Sequence, residues 1–239
     1  MMKCFLTSNP IIESSADLNP INGFIDELKK AIPKPCNALF VCSAPDEFER
    51  TDKFARSIKA SFEAAGFLFI EYNILDHRNQ FNAKALVESA DFIILAGGHV
   101  PTQNKFFTEI DLRTLMCGYA GVVMGISAGT MNSADIVYAH PELVGEAIDA
   151  NYQKFLIGLN LTKTMILPHY QMIKNETLDG LRVLEDIAYP DSIESKFYAL
   201  VDGSYLLIDD GKEELRGEAY LIENGGIARL SSVGDSVEL

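Results

Sequence analysis

The run Gly121-Val122-Val123-Met124-Gly125-Ile126-Ser127-Ala128-Gly129-Thr130 has fewer ways to fold than any other part of the chain. Its apolar residues are continuous, as in a strand covered on both faces, and they end in Gly-x-Ser-Ala-Gly, where a strand turns sharply into a helix. A Ser at such a turn is pushed into a strained backbone conformation that exposes its hydroxyl. Gly125 and Gly129, two positions to either side, let strand and helix approach without Cβ clashes. Ser127 is therefore the candidate nucleophile, with the Ala128 N–H aimed where an oxyanion would form. A bland strand-turn-helix would read the same way, so the assignment depends on what the rest of the chain supplies.

Apolar runs and amphipathic stretches alternate before this point. Strands are predicted over 3–8, 38–42, 67–70 and 91–96, with helices after Asn19-Pro20, over Phe54 to Ala65, over Asn82 to Ser89 and over 104–118. The pattern implies an α/β fold with a mostly parallel, doubly wound sheet whose sites lie at the carboxyl ends of strands. After an irregular segment, Thr164 to His169 reads as another buried strand, and Leu178, Leu181 and Leu184 predict a helix from about Asn175 to Ala188. Beyond it, short apolar runs separated by Asp202-Gly203, Asp210-Gly211 and Asn224-Gly225 read as antiparallel hairpins that extend the sheet or cover its edge. The expectation is one domain over 1–239, with 203–239 as a hairpin extension.

The chain of 239 residues carries a net charge of −14, which argues against nucleic acid or an anionic membrane as partner. No signal peptide is expected from Met1 to Thr7, no apolar run reaches membrane-spanning length, and Cys4, Cys36, Cys42 and Cys117 show neither metal-ligand nor redox spacing. A cytoplasmic protein with reduced cysteines, no metal and no cofactor is expected, as a monomer or homodimer.

A Ser hydroxyl needs a base, and His suits because its ordinary pKa is near 6.5. Among the four His, His77 sits in a polar loop and His140 precedes Pro141 in the irregular segment. His99 and His169 each follow a strand directly. His169 is preferred, because Pro168 fixes the chain direction there and His99 occupies a loop whose backbone is wanted for another purpose. That purpose is the Gly97-Gly98 pair, whose N–H groups can approach a substrate carbonyl and, with Ala128, form an oxyanion hole. A carboxylate must orient the imidazole, and Asp135, Glu142, Glu146 and Asp149 all lie between Ser127 and His169.

Ala-Gly-Gly after the fourth strand, Gly-Ile-Ser-Ala-Gly-Thr at the elbow and Leu-Pro-His-Tyr further on together resemble the peptidase E group of serine peptidases. That group includes aspartyl dipeptidases and, more distantly, cyanophycinases, with a fold like that of class I glutamine amidotransferase domains. The resemblance covers roughly residues 3 to 230. It implies Ser127 as nucleophile, His169 as base, Gly98 and Ala128 as oxyanion donors, and Glu142 at the position of the family acid. It also implies a small peptide as substrate, with an acidic first residue if the aspartyl dipeptidases are followed. His99, Gln103 and Arg182 are then candidate substrate contacts.

Two departures accompany the resemblance. The family's Gly-Gly-Asn-Thr loop reads Gly98-His99-Val100-Pro101-Thr102-Gln103, and the Arg that would meet a substrate carboxylate falls on Leu178. An α/β-hydrolase would carry its His far towards the C-terminus, and a glutamine amidotransferase would have Cys at the elbow, so both fit less well. A catalytically silent ligand-binding domain of amidotransferase type and a small-ester or amide hydrolase are the alternatives.

Overall fold

The structure is a computed structural model that describes residues 2–239. Its main sheet is built around five parallel strands, β1 (Lys3–Thr7), β2 (Cys36–Val41), β3 (Phe69–Leu75), β4 (Phe92–Leu95) and β5 (Val122–Ile126), in the spatial order β1-β5-β4-β2-β3. β4 and β5 are buried along their full length, which is why they read as unbroken apolar runs. β3 lies at the sheet edge and runs further than the predicted 67–70, with Ile70 two-thirds exposed at 66%.

Helices α1 (Phe24–Ala31), α2 (Phe48–Ala64) and α3 (Ala83–Ser89) connect these strands. The single helix predicted over 104–118 is two, α4 (Val100–Glu109) and α5 (Leu112–Leu115), parted where Asp111 takes a left-handed φ of 50°. The helix leaving the elbow, α6 (Ala128–Met131), is only one turn long.

The second half departs further from the sequence reading. β6 (Ile136–Tyr138) and β7 (Phe155–Ile157) form a small antiparallel pair, followed by β8 (Met165–Leu167) and a single turn, α7 (Tyr170–Ile173). The helix predicted over 175–188 is instead a tight hairpin, β9 (Thr177–Leu178) with β10 (Leu181–Arg182), and a π-helical turn over Val183–Ala188. The reason is Asp179-Gly180, whose φ values of 51° and 84° are those of a two-residue hairpin turn. Leu178 and Leu181 therefore face each other across a ladder instead of following one helical stripe. Leu178 and Leu184 still bury, in a second core with Phe197 and Ile222, where Tyr138 stacks on Phe197 at 3.9 Å.

The remaining strands are β11 (Lys196–Leu200), β12 (Tyr205–Asp209), β13 (Lys212–Arg216), β14 (Ala219–Glu223), β15 (Gly226–Ser231) and β16 (Ser236–Glu238). They divide between two sheets. β12, β13 and β16 extend the main sheet beyond β1, whereas β14 and β15 join β11 and β8 in a second sheet of order β15-β14-β11-β8. Asp210-Gly211 and Asn224-Gly225 are hairpin turns with both φ values positive. Asp202-Gly203 is not a hairpin: β11 pairs with β14 and β8, β12 pairs with β1 and β13, and the dipeptide carries the chain from one sheet to the other.

Candidate active site

Ser127 has φ 47° and ψ −107°, a conformation that a side chain bearing a Cβ adopts only when its surroundings hold it there. The holding is done by β1. The Ser127 N–H lies 3.2 Å from both the Thr7 and Ser8 carbonyls, Thr130 Oγ1 donates to the Thr7 carbonyl at 2.8 Å, and Thr7 Oγ1 donates to the Gly125 carbonyl at 2.7 Å. The flanking glycines are required by close approach. A Cβ on Gly129 would sit 2.6 Å from the Leu95 carbonyl carbon, and one on Gly125 would sit 2.8 Å from Thr130 Cα.

His169 follows β8, with its Nε2 2.9 Å from Ser127 Oγ. Its Nδ1 lies 2.8 Å from Oδ1 of Asp202. The pairing of β8 with β11 explains this meeting. The two strands run parallel with Ala199 opposite Leu167, so the residues that follow them emerge at the same end, His169 from one and Asp202 from the other. Burial pushes the Asp202 carboxyl up, but hydrogen bonds from His169 and Ser8, helped by the His169 charge, hold it below the ordinary carboxylate value.

Glu142, the acid expected at this place, is not the residue that meets His169 Nδ1. It stands near enough for its charge to interact with His169, but burial first, and then the charge of Glu146, push its carboxyl up to about 7 against a hydrogen bond from the Val100 backbone. The other acids of that segment are engaged as well. Asp135 pairs with Arg113 and Lys163, Glu146 meets His99 Nε2 at 2.9 Å, and Asp149 accepts the Asn151 N–H.

The opposite side of Ser127 is formed by the ends of β2 and β4. Neither the Gly98 N–H nor the Ala128 N–H donates a hydrogen bond among the described residues. Ser43 Oγ donates to the Gly97 carbonyl at 2.6 Å and so fixes the peptide plane that carries the Gly98 N–H. Between these strand ends and α2 lies a cavity of about 460 Å³, bordered by Ser127, His169, Gly98, Phe54, Ile58 and Arg50.

The three side chains expected to touch substrate do not line this cavity. His99 is held between Thr102 and Glu146, and Gln103 is fully buried, donating to the Ala96 carbonyl at 2.7 Å and accepting from Asn132. Arg182 is clasped by both carboxylate oxygens of Asp186 on the surface hairpin. Of the remaining imidazoles, burial lowers the pKa of His140, and His77 bridges Asp46 and Glu109.

A strained Ser at a strand-to-helix turn, hydrogen-bonded to a His that is in turn bonded to a carboxylate, is the arrangement of an activated nucleophile. The model of peptidase family S51 matches residues 4–216. The chain belongs to peptidase family S51. It is accordingly a serine-type peptidase. The solved structures of similar fold include a peptidase from an acI-B1 Actinobacterium and a protein from Listeria monocytogenes EGD-e described as a putative peptidase E. The first is 15% identical with a TM-score of 0.64, covering 100% of this chain and 96% of the other. The second is 18% identical with a TM-score of 0.61, covering 97% and 100%. A search of curated proteins returns no match.

Among the described residues of this S51 chain, no helix is long and apolar enough to cross a membrane. The residue that sequence reasoning missed is Asp202. Its signal was present: Tyr198-Ala199-Leu200-Val201 is an apolar run, and Asp202 follows it as His169 follows β8. The Gly after it made the pair look like a hairpin turn.

Proposed function

We propose that the protein hydrolyses small peptides through Ser127, His169 and Asp202. Ser127 Oγ attacks the scissile carbonyl carbon while His169 Nε2 takes its proton, and Asp202 holds the imidazole with Nδ1–H towards its carboxylate. The oxyanion accepts from the Gly98 and Ala128 N–H groups. Collapse breaks the C–N bond, His169 returns the proton to the leaving amine, and water cleaves the acyl-enzyme by the same route in reverse. The continuous hydrogen-bond chain of 2.9 Å and 2.8 Å from Ser127 through His169 to Asp202 is the observation that carries this reading.

The cavity of about 460 Å³ supports a substrate of one or two residues. Its lining is apolar at Phe54, Ile58 and Ile11, and its one permanently charged side chain is Arg50, which is exposed and paired with Glu47 at 3.0 Å. A carboxylate on the substrate, whether a C-terminus or an acidic side chain, would find its cation there. Leu178, where aspartyl dipeptidases are expected to carry Arg, is buried in the second core and offers no charge.

The experiment is a fluorophosphonate label followed by peptide mapping, together with a panel of dipeptides varied at each position and matched esters. Label at Ser127, loss of turnover in Ser127→Ala and a preference for dipeptides over esters are expected. An unlabelled Ser127 with unchanged turnover in Ser127→Ala rules the reading out.

A further inference from the structure

Ser8, the residue after β1, touches all three members of the proposed triad and belongs to none of the motifs that mark the family resemblance. It is fully buried. Its hydroxyl donates to Asp202 Oδ1 at 2.6 Å and accepts the His169 backbone N–H at 2.8 Å, and its carbonyl lies 3.2 Å from the Ser127 N–H. Its own N–H donates to the Ser204 carbonyl at 3.1 Å, which ties it to the segment just after Asp202.

We infer that Ser8 is a positioning residue that sets the His169–Asp202 pair to the reach of Ser127. The argument turns on one proton and one oxygen. A Ser hydroxyl has a single proton to give, and the two acceptors in range are the Asp202 carboxylate at 2.6 Å and the Leu200 carbonyl at 3.3 Å. The charged, nearer acceptor takes it. The oxygen it reaches, Oδ1, is the one that also accepts from His169 Nδ1 at 2.8 Å. Two donors on one carboxylate oxygen fix the direction in which its remaining density faces the imidazole. The hydroxyl oxygen meanwhile accepts the backbone of that same His, so the ring and its carboxylate partner are referred to one point on the central sheet. His169 needs such a reference because its backbone is left-handed, at φ 58°, and only a short strand of three residues precedes it.

This inference rests on the proposed Ser-His-Asp chemistry, and its test separates the two. Wild type, Ser8→Ala and Ser8→Cys would be compared by rate of fluorophosphonate labelling, by kcat and KM per titrated active site, by thermal unfolding, and by the downfield proton NMR resonance of His169 Nδ1–H. Ser8→Ala is expected to lower kcat and the labelling rate about ten- to hundredfold with KM within about threefold, as loss of a hydrogen bond to a charged group in a transition-state assembly would. The Nδ1–H resonance should shift or broaden, and Ser8→Cys, a weaker donor of similar size, should fall between. If wild type labels at Ser127 while Ser8→Ala keeps the wild-type kcat per titrated site and an unmoved resonance, Ser8 only supports the fold and the inference is overturned. If Ser8→Ala does not fold, Ser8→Cys decides by the same readings. An unlabelled wild type instead overturns the triad reading itself.

Discussion

The two flanks of Ser127 are built from different kinds of chain. On one flank Gly98, Ser43 and the elbow itself sit at the ends of β4, β2 and β5, strands of four to six residues paired in parallel within the main sheet. On the other, His169 follows the three-residue β8 and Asp202 the five-residue β11, both in the smaller second sheet. The first flank is held by the buried ladder of a large sheet. The second is joined to the first by Ile166 and Leu200, which bury in the main core, and by hydrogen bonds to Ser8 at the end of β1. The candidate nucleophile thus stands within one parallel sheet, whereas the candidate base and acid are referred to it across the junction of two sheets.

The sharpest way to break this contrast is to exchange the two carboxylates in importance. Asp202→Asn should reduce kcat about a thousand- to ten-thousandfold, the scale on which a triad loses its orienting acid, while Glu142→Gln should leave kcat within about threefold. Steady-state kinetics on the best dipeptide decide it, and the reverse order of effects would return the acid to Glu142.

On the sheet flank, Gly98→Ala places a Cβ 2.7 Å from Ser43 Cβ and should displace the oxyanion peptide. A loss of about a hundredfold in kcat is expected. A change of less than about threefold would show that Gly98 does not contribute a donor. Smaller still is Arg50→Gln at the cavity rim, with KM up about three- to tenfold on substrates bearing a carboxylate there and kcat near wild type. Amidated dipeptides should lose this sensitivity if the carboxylate concerned is the C-terminus.

The smallest effect is on stability. Because the Glu142 carboxyl is raised from 4.5 to about 7, the fold binds its proton more tightly than the unfolded chain does. Stability is therefore lost as pH rises through that window, by about 2–3 kcal/mol at most between pH 5 and pH 8. Urea unfolding should show Glu142→Gln free of that loss. Equal pH slopes for the two proteins would place Glu142 in water.

How much could be read in advance follows the same division. The parallel strands were legible because each is a continuous apolar run bounded by turn residues, and strand-helix alternation then fixes which ends carry chemistry. That rule picked out Ser127, His169 and Gly98, which border one cavity in the structure. Asp202 was not, because Asp-Gly is also a hairpin signal, and whether it turns a strand back or passes it to another sheet is decided by pairing with strands distant in sequence. Asp179-Gly180 failed in the opposite sense. There the same dipeptide does make a hairpin, but three leucines at helical spacing outweighed it. Arg50 and Ser43 carried no signal, since their proximity to Ser127 arises only from the order β5-β4-β2 across the sheet.

β1 is flanked by β5 on one side and by β12, made some 200 residues later, on the other, with Cys4 opposite Ile208. In the order of synthesis, the first strand therefore waits with an open edge until nearly the whole chain has been made, and such distant pairings form late and slowly. The nucleophile's elbow leans on that strand, and the proposed acid precedes its final neighbour by three residues. A growing chain therefore carries Ser127 well before Asp202 and β12 have been made. On the proposed triad, peptide cleavage would await the late pairing of β1 with β12.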